Sequence, residues 1–93
     1  MVIGLLTLEL HFPGAQSLKD KRQALRSLEQ RLRNRHNVAL AEVDHQDLWQ
    51  RATLAVVSVN TDQVHLERAL GAVAGEAATA REIELVDQQL ELL

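Results

Sequence analysis

Ninety-three residues, 46% of them hydrophobic, describe one small domain with an aliphatic core, since Phe12 and Trp49 are the only aromatics. The chain has no cysteine, which excludes a disulfide scaffold, a thiolate metal site and cysteine catalysis, and fits a reducing cytoplasm. The net charge of −3 does not advertise a nucleic-acid binder, but the charge is segregated: residues 17–36 carry seven basic side chains against two acidic ones, and residues 37–93 carry three against ten.

Residues 2–11 alternate, with Leu6, Leu8 and Leu10 on one side and Thr7, Glu9 and His11 on the other. That period of two predicts a strand covered on one face. Glu9 and His11 interrupt the apolar run too early for a membrane span, and no basic leader precedes it, so it reads as a mature strand rather than a targeting segment. Pro13-Gly14 ends the strand in a tight turn, with Gly14 expected to supply a positive φ.

Ser17 is placed to N-cap a helix, and Asp20 to return a hydrogen bond in a variant of the capping box. Leu18, Leu25, Leu28 and Leu32 then form one stripe at helical spacing, with Asn37 a natural end. Lys19, Arg22, Arg26 and Arg33 line one flank of that stripe, while Arg31 and Arg35 lie on the other side. Lys21 falls on the apolar side, where its aliphatic stem is expected to carry the ammonium out to solvent.

Residues 38–43 (VALAEV) and 50–59 (QRATLAVVSV) are strand-like, and the polar DHQDL between them predicts an antiparallel hairpin. Asn60, Thr61 and Asp62 offer caps for a second helix, on which Leu66, Leu70, Val73 and Ala77 share a face opposite Gly71 and Gly75. Residues 82–90 return to a strand pattern, with an irregularity at Leu85-Val86 that suggests a bulge. The order βαββαβ with right-handed crossovers predicts an α+β domain of ferredoxin-like type. It is a four-stranded antiparallel sheet with both helices on one face, the first and third strands central, in a single domain over residues 1–93.

Several uses of that architecture are struck out by missing residues. The central strands lack the aromatics on which an RNA-recognition module stacks bases. There is no CxxC, no P-loop and no GxGxxG, and HFPGAQSLKDK is a poor match to an anion-binding acylphosphatase loop. Asp44, His45 and Asp47 are of types that bind divalent cations, but D-H-x-D in a hairpin turn has no established ligand spacing, and aspartates routinely bond turn amides. No metal or other cofactor is expected. His45 as a general base lacks a nucleophile and an oxyanion group, so no catalytic residue is assigned. Trp49 is expected to pack and anchor the hairpin, with an interface role as the alternative. If Thr7, Glu9 and His11 mark the open sheet face, Arg51 is expected beside Glu9. The basic flank reads either as a solvated helix face or as a surface that meets an acidic partner, RNA or another copy of the chain.

Pro13-Gly14 followed by Ser17-Leu18-Lys19-Asp20-Lys21-Arg22, and later Glu42-Val43-Asp44-His45-Gln46-Asp47-Leu48-Trp49-Gln50-Arg51, resembles the small bacterial YlxP-like family over nearly the whole chain. The resemblance implies a ferredoxin-like fold and an association with translation initiation and ribosome maturation, and carries no catalytic residue. The expectation is therefore a non-enzymatic cytoplasmic protein that binds RNA or a ribosomal particle. Lys19, Lys21, Arg22, Arg26 and Arg33 would meet phosphates, and Asp44, His45, Asp47, Trp49 and Arg51 would form an interaction surface on the hairpin. A homodimer is expected as well, because residues 38–41 (VALA) form an uncharged edge segment that invites strand addition. The alternative function is a homodimeric interaction module without nucleic acid, joined through an edge strand or the open sheet face. A small enzyme or metal site in the hairpin is the third reading.

Overall fold

The computed structural model describes all residues from Met1 to Leu93. Strand β1 spans Val2–His11, helix α1 Leu18–Arg35, β2 Ala39–Asp44, β3 Arg51–Asn60, helix α2 Gln63–Ala78 and β4 Glu84–Leu92. The four strands form one antiparallel sheet in the order β2-β3-β1-β4. This is the ferredoxin-like arrangement, and β1 and β3 are central as the sequence predicts.

Register decides which face each residue occupies, because directly opposed residues point the same way. Leu6 faces Val56, Leu8 faces Leu54 and Leu10 faces Ala52, and all six are buried beneath the helices. From α1, Leu25, Leu28 and Leu32 meet them, and from α2, Leu66, Leu70, Val73 and Ala77. Each fully buried leucine contributes roughly 1.5–3 kcal/mol over its exposed state, so this single cluster carries the fold. No helix is long and apolar enough to cross a membrane.

The opposite face of the sheet is open. There Thr7 pairs with Ala55, Glu9 with Thr53 and His11 with Arg51. Arg51 is thus two residues away from the neighbour expected for it, because β3 begins at Arg51 and its register is set from that end. Glu9 instead accepts a hydrogen bond from the Thr53 hydroxyl. On β4, Glu9 faces Asp87 and Leu10 faces Leu85, which leaves Val86 unpaired as the predicted bulge. A second bulge at Val43 puts Glu42 on the helix side and Asp44 on the open side.

The helix starts follow from their caps. Ser17 Oγ accepts from the Asp20 amide at 3.0 Å, and the Asp20 carboxylate accepts from the Gln16 amide at 3.0 Å, one residue before the cap. Asp62 Oδ1 accepts from Val64 at 2.8 Å and from His65 at 3.4 Å. The turn at Pro13-Gly14 is closed by Ala15 N–H donating to Phe12 C=O at 3.1 Å, yet no glycine has a positive φ. Proline's fixed φ suits a turn whose central residues both keep negative φ, so the left-handed conformation expected at Gly14 is not needed. It occurs at His45 and Glu82 instead.

Candidate functional site: a basic helix flank beside a pinned hairpin loop

Lys21 has no exposed surface. Its Nζ lies 2.9 Å from Glu42 Oε2, 2.8 Å from the His45 carbonyl, 3.1 Å from the Arg51 carbonyl and 3.3 Å from the Gln46 carbonyl. Three ammonium protons face four acceptors, enough to replace the water that a buried cation gives up. This corrects two expectations: Lys21 neither reaches solvent along its stem nor meets phosphate. The hairpin loop folds over the first turns of α1, and its carbonyls enclose the ammonium. Two facing positions hold the signal for this pair. Lys21 is on the apolar side of its helix, and Glu42 shares a strand face with Leu40, which packs against the core. Opposite charges on two surfaces that must pack together imply a buried ion pair.

Lys19, Arg22, Arg26 and Arg33 are exposed, and none has a carboxylate within 4.0 Å. The flank runs along the β2 side of α1, where the Arg33 guanidinium donates to the Leu40 carbonyl at 3.4 Å. Glu29 lies within it. Burial raises its carboxyl above the usual carboxylate range; Arg33 opposes that shift, Glu42 adds to it and Arg26 opposes it. The other side of α1 is differently occupied: Arg35 is 3.7 Å from Glu76 Oε1, and His36 Nε2 shares that oxygen at 2.8 Å, tying α1 to α2. Sequence reasoning missed that tie, because the 40 residues between His36 and Glu76 leave no periodic signal.

The loop of residues 45–50 is held at several points besides Lys21. Phe12 N–H donates to the Gln50 carbonyl at 2.9 Å, Gln50 Nε2 donates to the Ala15 carbonyl at 3.1 Å, and Leu48 N–H donates to the His45 carbonyl at 3.0 Å. Asp44 Oδ1 accepts from the His45 amide at 2.7 Å, as expected of a turn aspartate. Asp47 makes no such bond and is exposed, so the expected turn-amide role falls to Asp44 alone. Trp49 does not anchor the hairpin either: it is 53% exposed, and buried Lys21 holds the loop instead. Residues His11, Asp47, Leu48, Trp49, Gln50 and Arg51 line a shallow depression of about 500 Å³ on the open side. No three carboxylate or imidazole groups converge there or elsewhere as a ligand set for a metal ion.

The structure therefore brings Asp44, His45, Trp49 and Arg51 into one loop region. Lys21 physically joins that region to the helix bearing Lys19, Arg22, Arg26 and Arg33. Comparison with known proteins agrees with the two motifs that carry the resemblance. The chain is 34% identical over 83 residues to a Bacillus subtilis (strain 168) protein described as uncharacterized protein YlxP, a match covering 89% of this chain and 90% of that relative. A family described as "Protein of unknown function (DUF503)" matches residues 3–90, spanning every element from β1 into β4. By both matches, the chain belongs to the DUF503 family.

Proposed function

We propose that this protein is a non-enzymatic, cytoplasmic binder of RNA or a ribosomal particle, and that it meets phosphates through Lys19, Arg22, Arg26 and Arg33. The observation that carries this reading is the cationic excess of the flank, in which Glu29, its carboxyl raised by burial, is the one acidic side chain. Four exposed cations share one side of one helix with no carboxylate within 4.0 Å, in a chain whose net charge is −3. Such a cluster is held against its own repulsion and lowers its energy when a polyanion arrives. The acidic side chains Glu84, Asp87 and Glu91 of β4 disfavour phosphate at the opposite edge of the sheet.

Co-sedimentation with purified ribosomal subunits tests the reading. Binding is expected at low salt and should fall steeply at moderate salt, because each phosphate contact releases counterions. Four contacts give a log–log slope of roughly −3. Failure to sediment with either subunit at low salt contradicts the reading.

A second reading, a homodimer without nucleic acid, is favoured by one observation. On the open sheet face Val57 is 38% exposed and Val59 49%, next to half-buried Ile3 and Leu5. A dimer through that face is better supported than one through the β2 edge. Two-fold pairing of β2 would set two basic flanks side by side, and like charges disfavour it. Sedimentation equilibrium that is concentration-dependent but insensitive to salt is the outcome this reading requires.

A further inference from the structure

A chain that binds RNA through phosphates alone has no use for an indole held out in solvent. Yet the only tryptophan is 53% exposed, and neighbouring Leu48 is 45% exposed. An isolated exposed apolar residue needs no explanation. This one differs in that its loop is not free to turn it inward. The carbonyls of His45, Gln46 and Arg51 are fixed by the buried Lys21 ammonium, and both backbone and side chain of Gln50 are bonded to the segment between β1 and α1. The indole is thus presented on rigid backbone, which lowers the ordering cost of any ligand that stacks on it.

Its surroundings indicate the ligand. Arg51 lines the same depression as Trp49 and has no carboxylate within 4.0 Å, so the depression holds both an indole and an unpaired cation. Asp47, exposed and without an internal hydrogen bond, adds an acceptor to the same depression. An aromatic platform, a cation and a carboxylate are the groups that take a base, a phosphate and an exocyclic amine or ribose hydroxyl. We propose that Trp49, with Arg51 and Asp47, forms a stacking site for one unpaired nucleotide of a single-stranded RNA segment. The proposal rests on the RNA reading above and deepens it: helix α1 would hold phosphates, and the loop would take a base that is not engaged in a duplex. Lys21 fixes the two surfaces in one frame, since its backbone belongs to the helix beside Arg22 while its ammonium is enclosed by the loop.

The single tryptophan makes the test direct. Wild-type protein is titrated with a ten-nucleotide single-stranded oligoribonucleotide and with a duplex of the same length, while both indole emission and an independent end-label on the RNA are followed. The single strand is expected to quench Trp49 as it binds, and the duplex to bind without quenching. Trp49→Ala should weaken single-strand binding by about 5- to 100-fold, the range for losing one stacked base, and Trp49→Phe should retain most of it. Because Trp49 is exposed, both variants should match the wild-type unfolding midpoint, and the wild-type quenching result stands even if Trp49→Ala misfolds. Single-strand binding that leaves the emission unchanged, or equal affinity in Trp49→Ala, overturns the stacking site and leaves the helix reading intact. No oligonucleotide binding by any signal overturns both. Emission that changes only with protein concentration assigns Trp49 to an interface between copies and also overturns the proposal.

Discussion

Lys21 is the residue on which the candidate site depends without touching any ligand. Its ammonium neutralises Glu42, whose side chain is only 19% exposed, and supplies the donors for the loop carbonyls. Removing one member of a buried, hydrogen-bonded pair strands the other, so Lys21→Met should destabilise the fold by about 3–5 kcal/mol. Urea unfolding measures this, and a loss below 1 kcal/mol would contradict the clamp. Glu29 makes a second prediction. Burial raises its carboxyl, so the native chain holds that proton more tightly than the unfolded chain does. Its stabilising contribution is complete below the unfolded pKa and is lost as pH rises through the raised native value. Glu29→Gln should therefore gain on wild type between mildly acidic and neutral pH, and match it where both side chains are neutral. A gap that widens on acidification would reverse the sign and refute this. The periodicity of the sequence placed Lys21 on the apolar face correctly but misjudged its end. Snorkelling is the default for an isolated lysine, and although the Leu40–Glu42 alternation offers a facing carboxylate, only the packing of α1 against β2 shows that the two meet.

The elements were more legible than the contacts between them, because each is specified by its own residues. Alternation marks β1, Ser17 marks the start of α1, the Asn60-Thr61-Asp62 run marks that of α2 with Asp62 as the cap, and the Leu85-Val86 irregularity marks the β4 bulge. Turn conformation was less legible: Gly14 keeps a negative φ while His45 takes φ 64°. There the enclosing loop, rather than the residue's own preference, decides. Helix α2 carries a testable weakness. Gly71 and Gly75 are exposed within it at negative φ, and a Cβ at either would meet nothing within 4 Å. Replacing both with alanine should stabilise the protein by about 1–2 kcal/mol, since glycine loses more backbone entropy on entering a helix. An unchanged thermal midpoint would show that α2 does not limit stability.

At the scale of the whole molecule, the separation of charge visible in the sequence becomes a geometric fact. One flank of α1 is basic and unpaired, and the C-terminal edge strand β4 carries Glu84, Asp87 and Glu91. Pairing β2 of one copy with β4 of another, with helices on the same side, would not bring these charges together. Register turns those three acids to the open face, and the arginines belong to the helix layer. In that pairing the basic flank stays unmatched, in keeping with the proposal that it meets phosphate. The net charge of −3 conceals this; the order of the residues shows the segregation, and the fold sets the basic part along one helix flank. The most direct test is the salt dependence of RNA affinity in wild type and in the Arg22→Glu/Arg26→Glu double variant. Backbone contacts act without base preference, so binding to every sequence should weaken and the slope should flatten by roughly one unit per lost contact. Stability should move by only tenths of a kcal/mol, on the order expected for exposed charges. Equal affinity and equal slope in the two proteins would contradict the account and remove α1 from the site.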